Sequence, residues 1–411
     1  MSEQSSRQQQ SNESVNLFSE TFNQNPYPTF RILRGHDPVY QTLMPDGHIA
    51  WIVTRYEDAV SVLKDGRFIK DYAKLRDEQE QKTSHDHSSA LAENMLFSDP
   101  PDHKRLRSLV QQAFTPKMIE RYRGRIEEIT NELLDNAEAK GRMELVGDFS
   151  FPLPIIVICE LLGIPKEDRN QFRTWSNALV EANNNPEHAN ENMQPYVEAF
   201  VTYLQQLTAE RRKDPQDDLV SQLIHAEDEG DRLTEKELYG VISLLIIAGH
   251  ETTVNLITNG VLALLQHPDQ MEQLKNQPDL IHGALNEFLR YEGPVEFSTD
   301  RWANETVELQ GKTIERGDHV LVALDSADHD PEHFDDPDVF DIKRESNSKH
   351  LAFGKGVHFC LGAPLADLEG EIAITTLLRR MPDLQLDTEP EKLQWRPGML
   401  MRGLKELPVA F

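Results

Sequence analysis

Apolar positions recur at helical spacing along most of this chain and alternate only briefly. Helical periodicity fills Tyr56–Lys64, His103–Ala113, Met118–Ala139, Ile155–Leu162, Pro195–Arg211 and Ala363–Arg380. The longest such pattern runs from about Glu235 to Gln266. Thr234 and Glu237 form a capping box at its start, and His267-Pro268 marks its stop. At 1.5 Å per residue that helix is roughly 48 Å long, enough to cross a whole domain. Strand signals are short: Ala50–Val53, Thr306–Leu309 and His319–Leu324, with turns at Gly311 and Gly317. The stretch from Trp395 to Phe411 alternates enough for a terminal hairpin. The map is mainly helical, with minor sheets.

Polar segments interrupt this pattern. Asp71–Ser89 and Asn183–Asn192 read as mobile loops, and Met1–Glu13 is rich in Ser and Gln without the apolar core of a signal peptide. Residues 1–14 are expected to be a disordered tail. His85-Asp86-His87 has metal-ligand chemistry, but a solvated loop is the expected reading. No Ser/Gly-rich linker or internal repeat divides the chain.

Two places carry chemistry that a plain helical core does not need. In the long helix, the apolar run Val241, Ile242, Leu244, Leu245, Ile246 and Ile247 is followed by Ala248-Gly249-His250-Glu251-Thr252-Thr253. Polar groups at mid-span are costly unless bonded or used. The bland alternative is threonines that back-bond to the preceding turn. A zinc-protease helix would need a second histidine one turn on, where Val254 stands.

The other place is Ala352-Phe353-Gly354-Lys355-Gly356-Val357-His358-Phe359-Cys360-Leu361-Gly362. A ligating thiolate needs electropositive surroundings or the metal itself. Glycines let the backbone approach a flat cofactor and aim amides at the sulfur. The helix beginning after Gly362 turns its positive end toward a thiolate.

The pattern Phe-x-x-Gly-x-x-x-Cys-x-Gly resembles the haem-ligand loop of the cytochrome P450 monooxygenases, and the resemblance runs from about Asn25 to Phe411. It implies the helix-rich cytochrome P450 fold as one large domain over residues 15–411, holding haem b with Cys360 as the iron ligand. Ala352, Phe353, Gly354 and Gly362 would line the loop, and Ala248 and Gly249 would lie against the haem where the long helix opens locally. His103, Arg107, Arg301 and His358 would meet the propionates. Glu251 and Thr252 would be the catalytic pair that relays protons. Glu287 and Arg290 would brace the cysteine loop. The family's usual third partner, an arginine, is replaced by Val339, and Arg344 is the candidate substitute.

The resemblance further implies hydroxylation of a bulky lipophile, with polyketides, macrolides, statin-like compounds or steroids favoured by likeness to Bacillus-type members. Leu244, Ile247, Val295, Phe297, Met399 and Leu400 would line the pocket. A fatty-acid hydroxylase, a non-catalytic haem sensor and a haem-thiolate isomerase stay open. The two polar stretches would be loops over the pocket, at the B–C and F–G positions. Electrons would come from NAD(P)H through a reductase and a separate ferredoxin or flavodoxin.

Charge sharpens the partner list. A net charge of −28 argues against nucleic acid or an anionic membrane as partner. Yet Lys104, Arg105, Arg107, Lys117, Arg121, Arg123 and Arg125 face a single acid, Glu120, in a stretch expected, Arg107 apart, to dock the acidic electron donor. Asp367 departs from the family's usual arginine there. Two distant cysteines, Cys159 and Cys360, leave no disulfide framework. The longest apolar runs, such as Val241–Gly249, are far short of a membrane span, so a cytoplasmic monomer is expected.

Overall fold

The computed structural model describes residues 15–75, 91, 93–169, 171–172, 174–175, 186–227 and 230–411. The N-terminal tail, His85-Asp86-His87 and most of Asp71–Ser89 lie outside them. The principal helices are α1 (Tyr27–His36), α2 (Tyr56–Lys64), α3 (Asp102–Ala113), α4 (Arg123–Glu138), α5 (Pro152–Leu162), α6 (Pro186–Lys213), α7 (Glu235–Gln266), α8 (Ile281–Tyr291) and α9 (Ala363–Arg380).

The sequence pattern holds where the ends are locally signalled. At α7, the Thr234 hydroxyl accepts from the Glu237 amide at 3.2 Å, while the Glu237 carboxylate accepts from the Thr234 amide at 2.8 Å. Three expectations need correction. The pattern over Met118–Ala139 is two helices, Pro116–Glu120 and α4. The Arg121 and Tyr122 amides bond three residues back, to Met118 and Ile119, which tightens and ends the first turn. Residues 186–192, expected as loop, are the opening turns of α6, which starts on Pro186, where a missing N–H is harmless. The strand at His319 stops at Val322, and Leu324 opens a short helix, Leu324–Asp328.

Strands β1 (Val39–Leu43), β2 (Ile49–Val53), β3 (Phe68–Ile69), β5 (Arg301–Ala303) and β8 (His319–Val322) form one sheet in the order β1-β2-β8-β5-β3. Only β2 and β8 run parallel, with Ala50 opposite His319. β4 (Arg142–Glu144), β10 (Pro408–Ala410) and β9 (Gln385–Leu386) make a second sheet, and β6 (Val307–Leu309) with β7 (Lys312–Ile314) is a hairpin turning at Gly311. The terminal stretch is a hairpin only where Trp395 bridges Leu404; Pro408–Ala410 leaves it to join β4 and β9.

The helices bury one large apolar core, in which α7 packs on α5, α8 and α9. By length and composition α7 could cross a bilayer, but 72% of its most apolar window is buried in the protein, as in a core helix. Two smaller clusters lie against the first sheet, one on each face, with Trp51 and Val53 in one and Ile52 in the other.

Candidate active site

The Cys360 loop is shaped by backbone bonds. The Cys360 amide donates to the Phe353 carbonyl at 2.9 Å, and the Gly354 amide to that of Leu351 at 2.7 Å. Gly356 has φ +76°, and a Cβ there would sit 2.8 Å from the Leu63 carbonyl of α2, so only glycine fits. Cys360 is exposed as a residue, with protein packed closely around its thiol. Burial pushes the thiol up; the amides of Gly362 and Ala363, where α9 begins, and the Arg107 guanidinium oppose that. By contrast Cys159 is fully buried, and its thiol is pushed up to about 12.

Beside this loop, basic groups converge. The His103 and His358 rings lie 4.3 Å apart, and burial plus the fields of His103, Arg301, Lys70 and Arg107 push His358 down to about 2. Arg301 is only 4% exposed and depressed to about 10 by burial. Its Nη1 donates to the Phe68 carbonyl at 3.3 Å, while its Nε and the Nε2 of His103 are buried without a partner among the described residues. Arg107 donates to the Phe359 carbonyl at 2.8 Å. Buried cations with orphaned donors are stable only opposite an anion. A cofactor with two carboxylates and a thiolate-seeking metal fits this donor set.

The long helix has one open line. Leu244, Ile247, Gly249 and Thr252 are half-buried and Ala248 is exposed, whereas most of the remaining helix is buried. Leu244, Ala248 and Thr252, four apart, share one face, with Ile247 and Gly249 on its two flanks. The expected local opening is absent: α7 runs unbroken from Glu235 to Gln266. Thr252 Oγ1 donates to the Ala248 carbonyl at 2.8 Å, and Thr253 Oγ1 to that of Gly249 at 3.3 Å, so local back-bonding satisfies these alcohols. Glu251 is buried and raised by that burial, with an Arg396 ion pair at 2.8 Å opposing the shift.

A scan against protein-family models matches residues 16–406 to "Cytochrome P450". The chain belongs to the cytochrome P450 family. It is 44% identical over 395 residues to "Polyketide biosynthesis cytochrome P450 PksS" of Bacillus subtilis (strain 168), covering 95% of this chain and 96% of that one. "Cytochrome P450 monooxygenase PikC" of Streptomyces venezuelae is 46% identical over 398 residues, with 96% and 93% covered. Among solved structures, P450BioI in complex with hexadec-9Z-enoic acid ligated acyl carrier protein superposes with a TM-score of 0.88 at 42% identity, covering 96% of this chain and all of that one. The fold is therefore the cytochrome P450 fold and the chemistry that of a haem-thiolate monooxygenase family.

As a cytochrome P450, the chain carries a buried ion network on α8. Arg290 grips Glu287 through two bonds of 2.8 Å, both side chains wholly buried, and donates to the carbonyls of Asp328 and Pro337. Arg344 takes the third place, 3.3 Å from Glu287 and 2.7 Å from the Val339 carbonyl. Ala352 is 9% exposed and lies in the core, its amide donating to His350 Nδ1. Phe353 stands 6.2 Å, ring to ring, from Phe359.

Two expectations for this cytochrome P450 change. Phe297 does not line a pocket: it is 1% exposed and packs edge-on against Phe30 at 5.7 Å, because its bridge to Ala323 turns it under the sheet. Val295, Met399 and Leu400 stay half-buried. The basic stretch is also largely neutralised. Arg105 pairs with Glu237 and Asp231, Arg121 with Asp217, Arg123 with Glu120 and Glu371, and Arg125 with Glu160, Glu128 and Glu132. Among the described residues, no carboxylate lies within 4 Å of Lys104 or Lys117.

Sequence reasoning did not single out Lys70, Arg396 or Glu369. Lys70 is 3% exposed and its ammonium donates to the Thr299 and Asp300 carbonyls at 2.8 Å, fixing the turn that carries Arg301. Glu369 on α9 is buried, bonded to Thr253 of α7, and pushed up to about 8 by burial. Its place one turn and a half into α9, facing α7, is the one local signal that could have flagged it.

Proposed function

We propose that this chain is a haem b monooxygenase that hydroxylates a bulky lipophile of polyketide or macrolide type, fed by a separate ferredoxin or flavodoxin. The observation that carries the reading is the group of buried basic side chains, with Arg301 Nε and His103 Nε2 unpartnered among the described residues, beside a cysteine that meets helix-terminal amides. Cys360 would hold the iron, with the Gly362 and Ala363 amides favouring its thiolate. His103, Arg301, Arg107 and His358 would take the propionates. When bound, haem supplies oxygen activation and abstraction of hydrogen from carbon. Ala248 and Gly249 present a flat helix face to it, Thr252 offers its hydroxyl to an ordered water, and Glu251 moves protons inward. Leu244, Ile247, Val295, Met399 and Leu400 would contact the substrate and exclude water from it.

The polyketide class draws support from PksS and from PikC, whose names tie them to polyketide biosynthesis and to monooxygenation. A fatty-acyl substrate is the second reading, favoured by the relative solved with an acyl carrier protein. The chain would work as a cytoplasmic monomer over residues 15–411. Spectral titration of the purified ferric protein with polyketide lactones, statin-like polyketides, steroids and fatty acids tests this. A Soret shift with polyketides alone supports the first reading and preference for fatty acids the second. A protein without a haem spectrum defeats both.

A further inference from the structure

The acid on α7 is held by a residue from far along the chain. Arg396 Nη1 meets Glu251 Oε1 at 2.8 Å, and its Nη2 donates to Asn255 Oδ1 at 2.5 Å. One guanidinium thus spans two side chains one turn apart on the same helix face. Arg396 sits on the C-terminal hairpin: its amide donates to the Gly403 carbonyl at 2.9 Å, and Trp395 bridges Leu404. A Cβ on Gly403 would fall 2.1 Å from Asn255 Oδ1 and 2.7 Å from Arg396 Nη2. A glycine is what lets this hairpin close on the helix.

The other end of the same hairpin lies at the proposed substrate contacts. The Leu400 carbonyl accepts from the Glu296 amide at 3.0 Å, Met401 bridges Val295, and Met399 and Leu400 are half-buried between the two. The turn at residues 397–400 therefore joins the pocket wall to the arm that carries Arg396.

We propose that Arg396 is the positioning residue of Glu251, and that the hairpin ties this ion pair to occupancy of the Met399–Leu400 wall. Among the described residues, Arg396 is the one charged group acting on the Glu251 carboxyl. His250, its neighbour on α7, is lowered by burial and bonds the Ile246 carbonyl, Ile158 of α5 lies beside Gly249, and Glu369 of α9 bonds Thr253. The guanidinium favours the charged form of Glu251 against its burial and turns the side chain toward the hairpin. A ligand pressing on Met399 and Leu400 moves the arm, loosens the pair and lets the carboxyl take up a proton for delivery. Proton uptake is thereby confined to the loaded enzyme.

The use of the proton rests on the monooxygenase reading, but the pairing does not, and the test separates them. Infrared titration of the holoenzyme follows the Glu251 carboxyl band, identified by its loss in Glu251→Gln. In Arg396→Met its midpoint rises by about one pH unit or more, the size expected when an opposite charge within ~4–6 Å is removed. Arg396→Lys restores part of that shift. A saturating lipophile raises the midpoint in the parent protein and leaves Arg396→Met unmoved. Product formed per reductant consumed falls by about an order of magnitude in Arg396→Met, with spectral affinity for the ligand retained. Unchanged midpoints in Arg396→Met overturn the proposal even if turnover is normal. Altered midpoints without any turnover would leave the pairing standing and refute the monooxygenase reading instead. Should Arg396→Met fail to fold, Asn255→Ala, which frees one arm of the clamp, must lower the ligand-induced shift; no change there also overturns it.

Discussion

Thr252 shows how little of a side chain's role is visible in its own bond. Its hydroxyl is satisfied within α7 by the Ala248 carbonyl, and that carbonyl also has the helix's own amide, so nothing in the fold depends on it. Thr252→Ala should therefore change stability by no more than about 0.5 kcal/mol, as surface-like substitutions do. In turnover it should consume reductant and release peroxide in place of product. Tight coupling in that variant, read as product per NAD(P)H, would remove Thr252 from proton delivery. The contrast between the two cysteines is of the same kind. Both are single thiols pushed up by burial, and each feels one guanidinium, Arg107 or Arg169, but only Cys360 meets helix-terminal amides.

Among elements, α8 and the loop after it are joined by charge rather than by apolar contact. Glu287 is wholly buried and accepts from Arg290, from Arg344 and from the Asp341 amide. Removing one partner leaves a buried carboxylate short of compensation. Arg290→Ala should cost about 3–5 kcal/mol in a denaturant melt of the holoenzyme, and the cysteine loop should lose haem before the rest unfolds. Arg290→Lys should not rescue it, since an ammonium cannot make the two parallel bonds. A melt within error of the parent would mean that the loop is held by packing. Sequence alone showed Glu287 and Arg290 to be three apart on a helix and offered Arg344 in place of Val339; the 3.3 Å approach of Arg344 to Glu287 belongs to the fold.

For the molecule as a whole, folding buries several carboxyls of this acidic chain where they cannot ionise cheaply. Glu369 and Glu296 are pushed up to about 8 by burial, and Asp325 is raised in the same direction. For each, the folded form holds its proton more tightly than the unfolded chain. Their contribution is full below the ordinary carboxylate range and is lost as pH rises from there through about 8. Thermal melts should fall as pH is raised across that window, and Glu369→Gln should flatten the slope. A melt that rises from pH 6 to pH 8 in both proteins would contradict it. The same scale governs electron-donor docking. With Arg121 tied to Asp217 and Lys104 unpaired among the described residues, Lys104→Glu should slow iron reduction more than Arg121→Glu. Stopped-flow reduction by a surrogate ferredoxin reads the difference, and equal rates for parent and Lys104→Glu would put the donor elsewhere.

What the sequence determined by itself is what neighbouring residues encode. The cysteine loop is such a case, since its glycines, backbone bonds and helix start lie within ten residues of Cys360. So are both ends of α7, fixed by a capping box and a proline. The tertiary structure decided everything that depends on chain segments meeting from afar. It set Arg396 against Glu251 across 145 residues, turned Phe297 away from the pocket and onto Phe30, and spent most of the basic stretch on internal carboxylates. Local geometry follows from backbone sterics and hydrogen bonds a few residues apart, which a sequence displays. The partner of a buried charge is fixed only when distant elements pack, because burial is what makes that partner necessary.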